Sequence, residues 1–313
     1  MSITSSKTAN RQRLIPLISA SIALLLGILQ LCFYLTGYEF DTGLYQHGPL
    51  PTVTAILWIL SGGAVIALSL TLPKKELFEE FCPPNSQFSD FASLIAAIAL
   101  IAFPVCMILF RSNPTDSLSA LLASSAESDS TARTTLLISL FLAIPAAIHF
   151  FLFFYKRINH PLGVSAALFF SAATALRVYF DMRYLLMSPQ RILHLMALLS
   201  VMVFLIAEMR LSRGLGNRKS YFATASLCVV FAFADTLANL VLSLMSLQAL
   251  GAEITVYFFL LAMALYAFSR MFSFTYNEHN QIETQITLVH PTEDKSPPSS
   301  EESPLAPHEE TDQ

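Results

Sequence analysis

Arg177, Asp181, Arg191, His194 and Glu208 lie inside or beside two apolar runs, in a chain that keeps most of its charge out of such runs. Asp235 lies near the centre of the apolar run that follows them. A charged side chain at bilayer depth costs about 2.5–3.5 kcal/mol on insertion scales, so each of these residues is a candidate for function. At 3.6 residues per turn, Asn239 falls one turn beyond Asp235 on the same helical face. Thr224, Cys228, Ser243 and Ser246 join them within an arc of roughly 100°. Asp235 and Asn239 therefore form a candidate intramembrane polar site. A carboxylate at that depth has to be protonated, paired with a cation or in touch with water. The Ser, Thr and Cys members of the stripe fit ordinary interhelical hydrogen bonding.

Thr174, Arg177 and Asp181 share an arc of roughly 60°, with Arg177 and Asp181 at the i,i+4 spacing of a helical ion pair. Arg191 and His194 are three apart, hence on one face of the next run. Arg177, Asp181, Arg191 and His194 make a candidate outer vestibule; the plainer alternative is helix-end anchoring by an ion pair and snorkelling side chains. Glu208 and Arg210 are a candidate inner-end ion pair. His149, beyond Pro145, differs in depth from His194 by about 15 Å, too far to share a metal ion. Cys32, Cys82, Cys106 and Cys228 show no metal or disulfide spacing, so neither a metal nor a cofactor is expected.

Enzyme motifs are missing from the sequence. It contains no GxSxG elbow, no HExxH and no phosphate-binding loop. Asp181 and Asp235 could be compared with an intramembrane aspartyl pair, but neither stands in a GxGD setting and their depths differ by roughly 10 Å. No catalytic residue is assigned, and the chain is not expected to be an enzyme.

The elements that must position these residues follow from composition. Of 313 residues, 54% are hydrophobic and 13% charged, where a soluble domain carries roughly 25% charged. Eight apolar runs occupy about residues 14–35, 50–72, 91–110, 135–155, 161–183, 189–211, 221–246 and 254–275. Each is near the ~20 residues that cross a bilayer core as a helix. They are continuously apolar rather than alternating, which excludes a strand barrel, and helix is then the form that satisfies the backbone in lipid. Pro16, Pro161 and Pro189 fall in first turns, where proline is tolerated. Pro104 and Pro145 fall inside runs and predict kinks. The fold class is all-α: a polytopic integral membrane helical bundle with eight transmembrane helices.

Eight spans place both ends of the chain on one side. That side also receives Lys7, Arg11, Arg13, Lys74, Lys75, Lys156, Arg157, Arg210, Arg213, Arg218, Lys219 and Arg270. The other receives Arg111, Arg133, Arg183 and Arg191. The bias predicts N-in, C-in in the cell membrane. Residues 1–13 are then a cytoplasmic N-terminal segment. Residues 276–313 hold nine acidic residues against a single base, Lys295, and read as a disordered acidic cytoplasmic tail. The loop 73–90 presents Leu77, Phe78 and Phe81 to the membrane surface, and a short helix is expected near residues 117–123. Runs three and seven are faintly alike, a weak sign of two four-helix repeats.

The segments ALRVYFDM, MSPQRILHLMALL and VFLIAEMRLSRGLGNRK, within residues 174–219, resemble a family of uncharacterised multi-pass membrane proteins of Gram-positive anaerobic bacteria. The shared features are Arg177, the tetrad at residues 179–182, the helix start at Ser188-Pro189, and Glu208 with Arg210. The resemblance implies that this hairpin is a unit and implies no activity. Two functional expectations stand. One is a small-solute or ion transporter with Asp235 at its midplane. The other is a non-transporting sensor or assembly component that works through the vestibule and binds a protein partner through the tail. The expected surroundings are the lipid bilayer, and no basic-aromatic patch points to nucleic acid.

Overall fold

The computed structural model describes residues 2–39, 44–45, 50–72, 76–77, 87–109, 127–156, 159–180, 189–245 and 254–289. Among them are eight long helices: α1 (Ser2–Gly37), α2 (Leu50–Leu70), α3 (Gln87–Leu109), α4 (Glu127–Lys156), α5 (Pro161–Phe180), α6 (Pro189–Leu211), α7 (Arg218–Leu244) and α8 (Ile254–Val289). All eight are long and apolar enough to cross a membrane. An apolar stretch of that length can leave water only by pairing its backbone groups within itself, which is why each run is helical.

The helices do not stop where the apolar runs do. α1 begins at Ser2, so Pro16 lies in its interior and not in a first turn. α8 continues past the expected boundary at residue 276 to Val289, so the first part of the supposed disordered tail is helical. Extending an existing helix adds one hydrogen bond per residue fixed and avoids the cost of nucleation. α3 and α4 run through Pro104 and Pro145. Residues 290–313, residues 117–123, and most of the loop 73–90 lie outside the described residues.

Burial ranks the helices. The apolar windows of α8, α7 and α6 are 72%, 67% and 56% buried, against 28% for α2. On the peripheral helices large apolar side chains face outward, among them Phe141, Leu25 and Ile59. A monomer in water rarely exposes so continuous an apolar surface. Helices α3, α4, α5, α6, α7 and α8 pack in a closed circuit, each against the next and α8 back against α3, while α1 and α2 lie on α7. The two four-helix halves are not packed alike. α6 lies along α7, whereas their counterparts α2 and α3 share no comparable interface among the described residues.

An aromatic column fills the circuit. Phe170 stands edge-on to Phe103 at 5.3 Å and to Phe259 at 5.2 Å. Tyr266 stands edge-on to Phe153 at 5.4 Å and to Phe150 at 6.0 Å. These perpendicular contacts are among those the ring quadrupole favours. Glycines permit close approach elsewhere. A Cβ on Gly27 would sit 2.9 Å from Leu237 Cδ2 and 3.3 Å from the Ala234 Cα, so α1 and α7 meet there nearly backbone to backbone.

One end of the bundle is tied by several polar contacts. α6 ends in a turn with Gly214 at φ 72°, where the Leu215 N–H donates to Arg210 O at 2.9 Å; this is a left-handed helix stop. Asn217 caps α7 by accepting from the Lys219 N–H at 3.0 Å. The Lys219 ammonium donates to Leu70 O at 2.9 Å, at the end of α2. A two-residue antiparallel ladder joins Glu76–Leu77 to Gly216–Asn217. The α2–α3 connection and the α6–α7 turn therefore share one end of the bundle. The opposite end carries the α5–α6 connection.

Candidate functional site

Helices α6 and α7 run antiparallel and hold polar side chains against each other at both ends of their shared interface. Near the α5–α6 end, His194 Nδ1 lies 2.7 Å from Asp235 Oδ2, with both residues buried. Asn239 donates from Nδ2 to Asp235 Oδ1 at 2.9 Å. Gln190 donates from Nε2 to Asn239 Oδ1 at 2.8 Å. Gln190 precedes His194 by one turn and Asn239 follows Asp235 by one turn, so these are two successive rungs of one antiparallel ladder. Tyr257, near the start of α8, meets the His194 ring edge-on at 5.1 Å.

The partners fix what this node can do. Each oxygen of the Asp235 carboxylate has its own contact, one with imidazole and one with carboxamide. When the carboxylate is ionised, Nδ1 of His194 donates to it and Nε2 of a neutral ring is left as an acceptor. Protonation of Nε2 then makes a buried ion pair. The protonated node is thus a neutral ion pair, and the deprotonated node keeps one negative charge held by the imidazole and carboxamide N–H groups.

In the sequence, Asp235 with Asn239 and His194 within a vestibule are distinct sites; the structure joins His194 to Asp235. Depth counted along single runs misses this, because it does not reveal which face of one helix meets which face of another. Arg191 and His194 share a helix but turn to different neighbours. The Arg191 guanidinium lies 5.7 Å over the Tyr179 ring of α5. Arg177 is buried on α5, with its guanidinium 5.9 Å over the Phe103 ring. Asp181 lies outside the described residues.

The second node sits near the α6–α7 end, and here the partner differs from the expected one. Glu208 is bound to Arg270 of α8, not to Arg210, which is exposed. Arg270 donates from Nε to Glu208 Oε1 at 3.0 Å and from a terminal nitrogen to Oε2 at 3.3 Å. The two-pronged geometry suits a planar guanidinium on a carboxylate. Tyr221 of α7 donates its hydroxyl to Oε1 at 2.6 Å, and Asn159 donates to Oε2 at 3.3 Å. Aromatic rings enclose the cation: Phe274 at 5.3 Å, Phe153 at 5.8 Å and Tyr266 at 6.0 Å. Arg210 is two residues from Glu208 and so projects from a different side of α6. Arg270 lies across the interface on the most buried helix.

Gln190, Tyr221, Asn159, Tyr257 and Arg270 are contributors that the sequence did not single out for these nodes. One signal existed. Counting back four from His194 and forward four from Asp235 gives Gln190 and Asn239, two amides that fit an antiparallel pairing.

No family model matches this chain, and no curated protein or solved structure matches it. The class rests on the structure itself: eight helices able to cross a membrane, apolar surface facing outward, and charge gathered at buried nodes define a polytopic helical membrane protein.

Proposed function

We propose that the protein is a proton-coupled transporter of a small solute, with His194 and Asp235 as its protonatable centre and Gln190 and Asn239 as the rung beside it. The observation that carries this reading is the 2.7 Å contact between two buried ionisable side chains on different helices. Intramembrane ionisable pairs are costly and are characteristic of proton relays. A node that changes charge by one proton alters how strongly α6 and α7 hold each other, which is the coupling an alternating-access device needs.

In the same reading the protein lies in the cell membrane with both termini cytoplasmic. The support is the distribution of Lys and Arg among the loops. Reporter fusions at each end, active only in the cytoplasm, test this; signal from only one of the two ends would overturn it.

Water access tests the transport reading without knowledge of the solute. In a background freed of native cysteines, Asn239→Cys is expected to react with a charged thiol reagent applied from either face of sealed vesicles. A position that no such reagent reaches from either face would sink the reading. Asp235→Asn is expected to abolish proton-driven uptake while leaving the protein in the membrane.

One observation favours a second reading, a sensor that signals to a partner. α8 touches both nodes, through Tyr257 and Arg270, and continues to Val289. Removal of residues 277–313 is then expected to abolish partner capture. Capture that ignores the deletion counts against this alternative.

A further inference from the structure

Arg177 is a buried cation to which the described residues bring no carboxylate. Its guanidinium covers the Phe103 ring, and its Nε is buried without a hydrogen-bond partner among them. Thr174, one turn earlier on the same face of α5, is fully buried and its Oγ1 likewise lacks a partner among the described residues. Neighbouring helical hydroxyls behave otherwise. Ser171 donates to Ala167 O at 2.9 Å and Ser200 to Ala197 O at 2.7 Å, the ordinary way a hydroxyl is satisfied within a helix. Phe170 continues the same face and packs on Phe103 and Phe259. Among the described residues the face thus combines a guanidinium whose Nε has no partner, a hydroxyl without one, and an aromatic floor.

We propose that Arg177 and Thr174 form a subsite for the carboxylate of a small monoanionic solute carrying an apolar or aromatic body. The inference rests on the transporter reading and names its substrate class. A guanidinium edge presents two parallel N–H groups that match a planar carboxylate. The phenyl ring of Phe103 takes one face of the guanidinium and leaves the edge for the anion. Among the described residues the face carries one positive charge, which one negative charge matches. A dianion such as hydrogen phosphate would carry excess charge into apolar surroundings, which is unfavourable. Thr174 supplies a hydroxyl donor, and the Phe170 and Phe259 rings, packed on each other, are the apolar surface that the body would meet once they part.

Calorimetric titration of the purified full-length protein in detergent tests this, with acetate, benzoate and inorganic phosphate as probes. The wild type is expected to bind benzoate, acetate more weakly, and phosphate least. Arg177→Gln is expected to weaken benzoate binding at least about tenfold, the loss of one charge-assisted contact. Thr174→Val and Arg177→Lys should each weaken it several-fold. Absence of benzoate binding to the wild type overturns the proposal, as does phosphate binding equal to benzoate. If Arg177→Gln fails to fold, the milder pair decides: folded Thr174→Val and Arg177→Lys proteins that bind as the wild type does overturn it. Asp235→Asn separates the two readings. Benzoate binding that survives where no proton coupling is found leaves the subsite standing and removes the coupling.

Discussion

Glu208 holds Arg270, Tyr221 and Asn159 at once, so its replacement disturbs several elements together. Glu208→Gln leaves the Arg270 guanidinium enclosed by aromatic rings without its counter-charge. Removing one partner of a buried pair costs about 3–5 kcal/mol. Tyr221→Phe removes a single hydrogen bond and should cost about 1 kcal/mol. Thermal unfolding in detergent ranks the two, and a Tyr221→Phe effect as large as that of Glu208→Gln would contradict this assignment. At the other node, His194→Gln and Asp235→Asn should be strongly non-additive. The double variant is expected to be more stable than the summed single effects by more than about 1 kcal/mol. Additivity within about 0.3 kcal/mol would show that the two side chains do not act as a pair. The importance of Asp235 and Glu208 is legible from one sequence, because a carboxylate in an apolar run is conspicuous. Their partners are not. Arg270 reads as one more positive charge near a helix end, and Gln190 and Tyr221 look ordinary until α6 and α7 are laid side by side.

The helices follow from the apolar runs because a lipid-facing backbone has no other way to satisfy itself, and the starts of α5 and α6 follow from Pro161 and Pro189. Their ends follow less well. Helical polar extensions such as residues 2–13 and the end of α8 have no hydropathy signal. Rotation about each axis is also hidden, since nearly every face is apolar and the helical period carries little contrast. Small residues supply what contrast there is. Gly163 on α5 sits directly against the His149 ring of α4, where an added Cβ would overlap the imidazole. Gly163→Leu should therefore force α4 and α5 apart and destabilise the protein by about 1–3 kcal/mol, the usual cost of overpacking. Gly63, which faces open space, is the control. Gly63→Leu should shift stability by no more than about 0.5 kcal/mol, the range of substitutions away from packed sites. Equal effects at both positions, read by thermal unfolding in detergent, would refute the packing argument.

At the scale of the molecule, α6 carries buried acid–base contacts at two levels, one made with Asp235 of α7 and the other with Arg270 of α8. The α6–α7 turn is short and tied to α2, whereas the α5–α6 end holds the His194–Asp235 node and the Arg177 face. This asymmetry predicts that change begins at the α5–α6 end. Hydrogen exchange of α6 and α7 should be slowest beside Glu208 and Tyr221 and faster beside Gln190 and Asn239, the reverse order excluding this view. Trp58, the chain's single tryptophan, lies in parallel stack on Phe231 at a centroid distance of 5.1 Å, and a Cβ on Gly62 would come within 2.7 Å of that same ring. Phe231 lies one helical turn before Asp235 on α7. The protein therefore carries a built-in fluorophore against the helix that bears its central carboxylate, and the emission of Trp58 records any sliding of α7 past α2 without a label being attached.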